Sequence, residues 1–129
     1  MVISSIIFIS ISAAIGALLR WWIGLSLNYI FPSIPLGTLV ANLLGGFLMG
    51  IFIVITKDHR FISETLRLAI ATGFLGSLTT FSTFSAETVT LLSNQQYLLS
   101  VFIICGHVIG TILATIIGIY FVKFITLWG

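Results

Sequence analysis

The chain has 129 residues, of which 59% are apolar and 6% charged, and its mean hydropathy is +1.27. Soluble domains carry about 25% charged residues, so the composition excludes an ordinary water-exposed surface and points to an integral membrane protein with one domain, residues 1–129. The net charge of +2 is too small for a nucleic-acid surface, and the single cysteine, Cys105, excludes an internal disulfide.

A helix needs about 20 mostly apolar residues to cross the hydrocarbon. Four segments qualify, from about Val2 to Ile30, Ile34 to Thr56, Leu66 to Leu92 and Tyr97 to Phe121. The first has no basic residue before its apolar run and is read as a retained span rather than a cleaved signal. Pro32 and Pro35 in "NYIFPSIP" end one helix and open the next. "KDHRFISETLR" is the charged second loop, and "SNQQ" at Ser93–Gln96 is a polar turn. Short joints make neighbours antiparallel. In lipid every backbone polar group needs an internal partner, which leaves helices or closed barrels, and these runs are too long for barrel strands. The expected unit is an all-α four-helix membrane bundle.

Four spans place both termini and the second loop on one side. That side holds Lys57, Arg60, Arg67 and Lys123, and the other at most Arg20. The positive-inside rule alone then predicts both termini in the cytoplasm.

Polar groups at membrane depth are costly and informative. Arg20, in "IGALLRWWIG", is either an interfacial anchor beside Trp21 and Trp22 or a cation that raises the local potential for an anion. Asn42, in "GTLVANLLGG", makes either an interhelical hydrogen bond or faces a hydrated cavity. The nearby Gly46–Gly50 spacing is a helix-packing pattern, and Gly106–Gly110 repeats it. Thr80, Thr83 and Glu87 fall on one helical stripe, with Phe81 and Phe84 adjoining; His107, Thr111 and Thr115 share another face. His107 is read as a core histidine or a path lining. His59, the other histidine, sits in a loop, so paired histidine metal ligation is not expected.

"GFLGSLTTFSTF", Gly73 to Phe84, holds two glycines and five hydroxyls inside an apolar span. Glycines loosen a helix, and Ser77, Thr79 and Thr80 can satisfy freed backbone groups, so the third span is expected to be broken. A discontinuous membrane helix exposes carbonyls for a cation and amides for an anion. Aromatic rings are positive at their edges. Hydroxyls, an amide and ring edges can replace the water around a small anion without a fixed charge that would trap it.

These three motifs, "IGALLRWW", "GTLVANLLGG" and "GFLGSLTTFSTF", resemble the Fluc (CrcB-type) fluoride channels of bacteria, and the match covers the whole chain. The resemblance implies an antiparallel dual-topology homodimer surrounded by lipid in the inner membrane. It implies two pores per dimer, selective passive export of fluoride that relieves its toxicity, and a structural sodium ion at the dimer axis. By motif position, the backbone carbonyls of Gly76 and Thr79 would hold the sodium. Phe81 and Phe84 would present ring edges to fluoride, and Asn42 its amide in the vestibule. Ser82, Thr83 and Glu87 would belong to the polar path, with His107 and Thr111 from the fourth span. Arg20 would make the vestibule electropositive. The chain departs from the pattern in its basic-residue bias and in a histidine where a hydroxyl is expected.

A proton-coupled exporter of the small multidrug type is the alternative. It needs an acid in its first span, and Glu87 in the third is the only carboxylate within the spans as bounded above. A membrane subunit without transport of its own is a further class. No nucleophile–base pair or metal cluster suggests an enzyme.

Overall fold

The computed structural model describes residues 2–57 and 62–128. Arg60 and His59 lie outside the described residues. Helix α1 runs Val2–Leu27 and α2 runs Leu36–Ile55. The third span comprises α3 (Glu64–Leu68), a π-helical stretch Ala69–Leu75, α4 (Gly76–Leu78) and α5 (Phe81–Ser93). The fourth comprises α6 (Tyr97–Cys105), a π turn Gly106–Gly110 and α7 (Thr111–Trp128). Among the described residues these form four helices long and apolar enough to cross a membrane.

The joints depart from the sequence expectation for local reasons. α1 stops three residues before Ile30, and Asn28 just past its end links it to α2: its Oδ1 accepts the Gly37 amide at 2.8 Å. That amide is one of the orphan donors in the first turn of α2, where Pro35 supplies no side-chain cap. α7 runs past Phe121, because one cation, Lys123, near a helix end does not stop a helix. α3 is capped by Ser63, whose hydroxyl accepts the Leu66 amide at 3.3 Å, and Glu64 in the first turn suits the positive helix end. α5 ends with Gln95 at φ 58°. The Gln96 amide reaches the Leu91 carbonyl at 2.9 Å and the Gln95 amide the Leu92 carbonyl at 3.0 Å, a Schellman termination with glutamine in the left-handed position.

Glycine sets how closely the spans approach. A Cβ at Gly50 would overlap the Thr115 carbonyl, and one at Gly118 the Phe47 carbonyl, so α2 and α7 touch backbone to backbone. Gly106 and Gly110 are different. A Cβ at Gly106 would meet only Leu39 Cδ1 at 3.5 Å, an ordinary contact. A Cβ at Gly110 would meet the Leu43 side chain at 3.0 Å, so this pair flanks a π turn against leucine side chains, with no backbone-to-backbone contact.

Ile23, Ala41 and Leu78 form one buried cluster, joining α1, α2 and α4; Phe84, Leu91 and Ile103 form another between α5 and α6. Large apolar side chains such as Ile3, Leu18, Phe102 and Ile117 cover the outside.

Candidate functional site: two extended threonines between cavities

Thr79 (φ −87°, ψ 155°) and Thr80 (φ −150°, ψ 122°) are extended, between α4 and α5. Thr80 is thus the N-cap of α5, not a member of its stripe; Thr83 and Glu87 alone keep the helical spacing. Extended residues inside a bilayer need partners for every amide and carbonyl, and side chains supply them. Asn42 Oδ1 accepts the Thr80 amide at 2.7 Å, and Asn42 Nδ2 donates to the Thr80 carbonyl at 3.0 Å. Thr80 Oγ1 accepts the Thr83 amide at 3.2 Å and donates to Thr83 Oγ1 at 3.0 Å. Arg20 Nε donates to the Ser77 carbonyl at 2.9 Å. Thr79 Oγ1 folds back onto the Leu75 carbonyl at 2.9 Å.

The rerouting has a consequence for two carbonyls. In a continuous helix the amides of Thr80 and Thr83 would serve the carbonyls of Gly76 and Thr79. Here Asn42 and the Thr80 hydroxyl take them. Gly76 is exposed, and with Thr79 it borders a cavity of about 230 Å³ that also touches Gly45, Gly46 and Thr115.

The fourth span reaches the break through His107, which is 5% exposed. Its Nδ1 lies 2.9 Å from Asn42 Nδ2. Its ring stacks on Phe84 with centroids 4.5 Å apart and planes 26° from parallel. Phe84 meets Phe81 edge to face, at 5.3 Å and 75°. The two phenylalanines are not equivalent: Phe84 is 6% exposed and Phe81 75%. A cavity of about 350 Å³ is lined by Asn42, Thr80, Phe81, Phe84, His107 and Thr111.

On the other side of Thr80 lies a second cavity, of about 540 Å³, bounded by Arg20, Asn28, Thr38, Thr83 and Glu87. Thr38 Oγ1 donates to Glu87 Oε1 at 2.5 Å. Glu87 Oε2 is buried, with no hydrogen-bond partner among the described residues. A third cavity, about 510 Å³, shares Thr83 and Glu87 and opens past Pro32 and Asn94. Adjoining cavities share lining residues, Thr80 between the first two and Thr83 with Glu87 between the second and third.

The structure therefore gathers Asn42, Phe81, Phe84, His107 and Thr111 around one cavity and Arg20, Thr83 and Glu87 around the next. Ser82 is exposed, with its hydroxyl 3.2 Å from Thr80 Oγ1. Arg20 is half-buried and turned to the Ser77 carbonyl, Trp21 is exposed yet borders the same cavity, and Trp22 is exposed. Sequence reasoning missed Thr38 as the partner of Glu87, Ser77 as the partner of Arg20, and Thr80 as the hub. A threonine just after a glycine-loosened segment and before an apolar run was the available sign of an N-cap.

The chain matches the family model described as CrcB-like protein, Camphor Resistance (CrcB), over residues 7–119. It is 53% identical over 117 residues to the "Fluoride-specific ion channel FluC" of Nitrosospira multiformis, covering 91% of each chain. It is 52% identical over 115 residues to the protein of the same name from Chromobacterium violaceum, covering 89% of this chain and 91% of that one. A third relative of that name, from Pseudomonas paraeruginosa, is 50% identical over 116 residues, covering 90% and 91%. The chain belongs to the CrcB family. It is a multi-pass membrane protein, and the names of these relatives are those of ion channels, not enzymes.

Proposed function

We propose that this CrcB-family chain is a fluoride-selective channel that lets fluoride leave the cell passively across the inner membrane. The observation that carries the reading is the row of open cavities along the bundle whose linings share Thr80 and then Glu87. Its walls offer hydroxyls, an amide and ring edges. Arg20 borders the wider cavity and favours anion entry. Deeper in, the donors near Phe84 and Asn42 are neutral, so binding is distributed and weak enough to release the ion. Phe81, Phe84, Asn42, Ser82, Thr83, Glu87, His107 and Thr111 form the fluoride path in this reading.

The functional unit is an antiparallel homodimer with both orientations inserted. Phe81, 75% exposed at the mouth of the cavity that holds Asn42 and His107, is free to meet a second copy on that face. A structural sodium ion on the dimer axis fits the residues present. Hard cations take oxygen ligands, and the Gly76 and Thr79 carbonyls have each lost the amide that a helix would give them. Two such carbonyls from each of two copies would give four oxygen ligands, and a bound ion would supply the positive charge to offset them.

The test is ion flux. Purified protein in liposomes with a fluoride gradient passes fluoride far faster than chloride, without a proton gradient. Equal chloride flux, or flux that requires protons, overturns the reading.

A further inference from the structure

We infer that His107 is locked as a neutral imidazole with its proton on Nε2, and that this N–H is offered to the anion in the cavity beside Phe84. The inference rests on the channel reading above and assigns a role to one residue of that path.

The argument begins at a backbone amide, which can only donate. The Asn42 atom 2.7 Å from the Thr80 nitrogen is therefore the amide oxygen. This fixes the flip of the Asn42 side chain. Its Nδ2 then carries two hydrogens. One goes to the Thr80 carbonyl at 3.0 Å. The other points to His107 Nδ1 at 2.9 Å. A ring nitrogen that accepts a hydrogen bond carries no proton, so the proton of the neutral ring is on Nε2. A doubly protonated ring would set an N–H against the Asn42 NH₂, and Asn42 cannot turn over without abandoning both backbone groups of Thr80.

None of the hydrogen bonds among the described residues uses Nε2, while the ring borders the 350 Å³ cavity. The Phe84 stack fixes the ring plane. The π turn that carries His107 gives it this inward position between α6 and α7. The chain thus has a donor without a fixed charge, with its direction imposed from the third span through the second. A cation at this position would hold the anion; a neutral N–H can pass it on.

The experiment has two arms. Solid-state ¹⁵N NMR on histidine-labelled protein in lipid, with His59→Gln so that His107 alone reports, reads the tautomer. Expected are an unprotonated Nδ1, a protonated Nε2, and an Nε2 resonance that moves with sodium fluoride and not with sodium chloride. A protonated Nδ1, or an Nε2 indifferent to fluoride, overturns the inference. In liposomes, His107→Phe keeps a ring beside Phe84 and removes the N–H; flux falls by at least about tenfold, with the gel-filtration profile unchanged. His107→Gln, which keeps a terminal N–H, retains more flux than His107→Phe. Unchanged flux in His107→Phe, or equal loss in both, also overturns the donor role. If the unaltered protein passes no fluoride, the channel reading fails instead, and the tautomer still answers for His107.

Discussion

Asn42 holds both backbone groups of Thr80, accepting from its amide and donating to its carbonyl. One side chain on α2 thereby does for an extended residue what a neighbouring strand does in a sheet. Asn42→Asp preserves the shape and removes the donor. It leaves the Thr80 carbonyl and His107 Nδ1 facing a second acceptor, at about 1–3 kcal/mol for each unsatisfied group. The expected outcome is lower thermal stability in detergent and fluoride flux reduced by at least about tenfold. Wild-type stability in Asn42→Asp would show that the clasp is dispensable.

Phe81 and Phe84 separate pore chemistry from packing. Phe81→Ile removes an exposed ring and is expected to cut flux while leaving unfolding of the protomer unchanged. Phe84→Ile removes a buried ring that stacks on His107, so it costs flux and also about 0.5–3 kcal/mol of stability. Paired liposome flux and thermal melts check this. Full flux in Phe81→Ile would make the outer ring a packing element only.

Gly50 and Gly106 answer oppositely to the same change. Gly50→Ala places a methyl against the Thr115 carbonyl and costs about 1–3 kcal/mol or more by overpacking. Gly106→Ala meets only Leu39 at ordinary contact distance and stays within about 0.5 kcal/mol of the parent. Thermal unfolding in detergent ranks them.

Gln95 sits at φ 58° in the turn after α5. A residue with a Cβ in the left-handed region is strained by about 1–2 kcal/mol, and glycine is not, although its freer unfolded chain returns part of the gain. Gln95→Gly is expected to raise the melting temperature and leave flux untouched. A lower melting temperature would mean that the Gln95 side chain has a role beyond the turn.

Length, apolar runs and prolines made the four spans legible, because the bilayer imposes one length on every helix. The glycines and hydroxyls from Gly73 to Phe84 framed Thr79 and Thr80, whose backbone is extended. The pairings within the site were not legible. Nothing in "GTLVANLLGG" says that Asn42 reaches Thr80, 38 residues on, and nothing near Arg20 names the Ser77 carbonyl. Those contacts depend on the register between spans, which glycine close approach sets through atoms such as the Thr115 carbonyl. The π turn at Gly106–Gly110 was invisible for a related reason: its glycines read as a packing pattern, and only the neighbouring Leu39 shows that no backbone approaches there.

The clasp on Thr80 also bears on the order in which the chain is made. Asn42 precedes Thr80 along the chain and His107 follows it. When the third span leaves the ribosome and enters the bilayer, the partner for its irregular backbone is already in place on the second. The extended residues need not wait in hydrocarbon for a later segment. The fourth span arrives last and closes the assembly, bringing His107 to an amide whose orientation has already been decided.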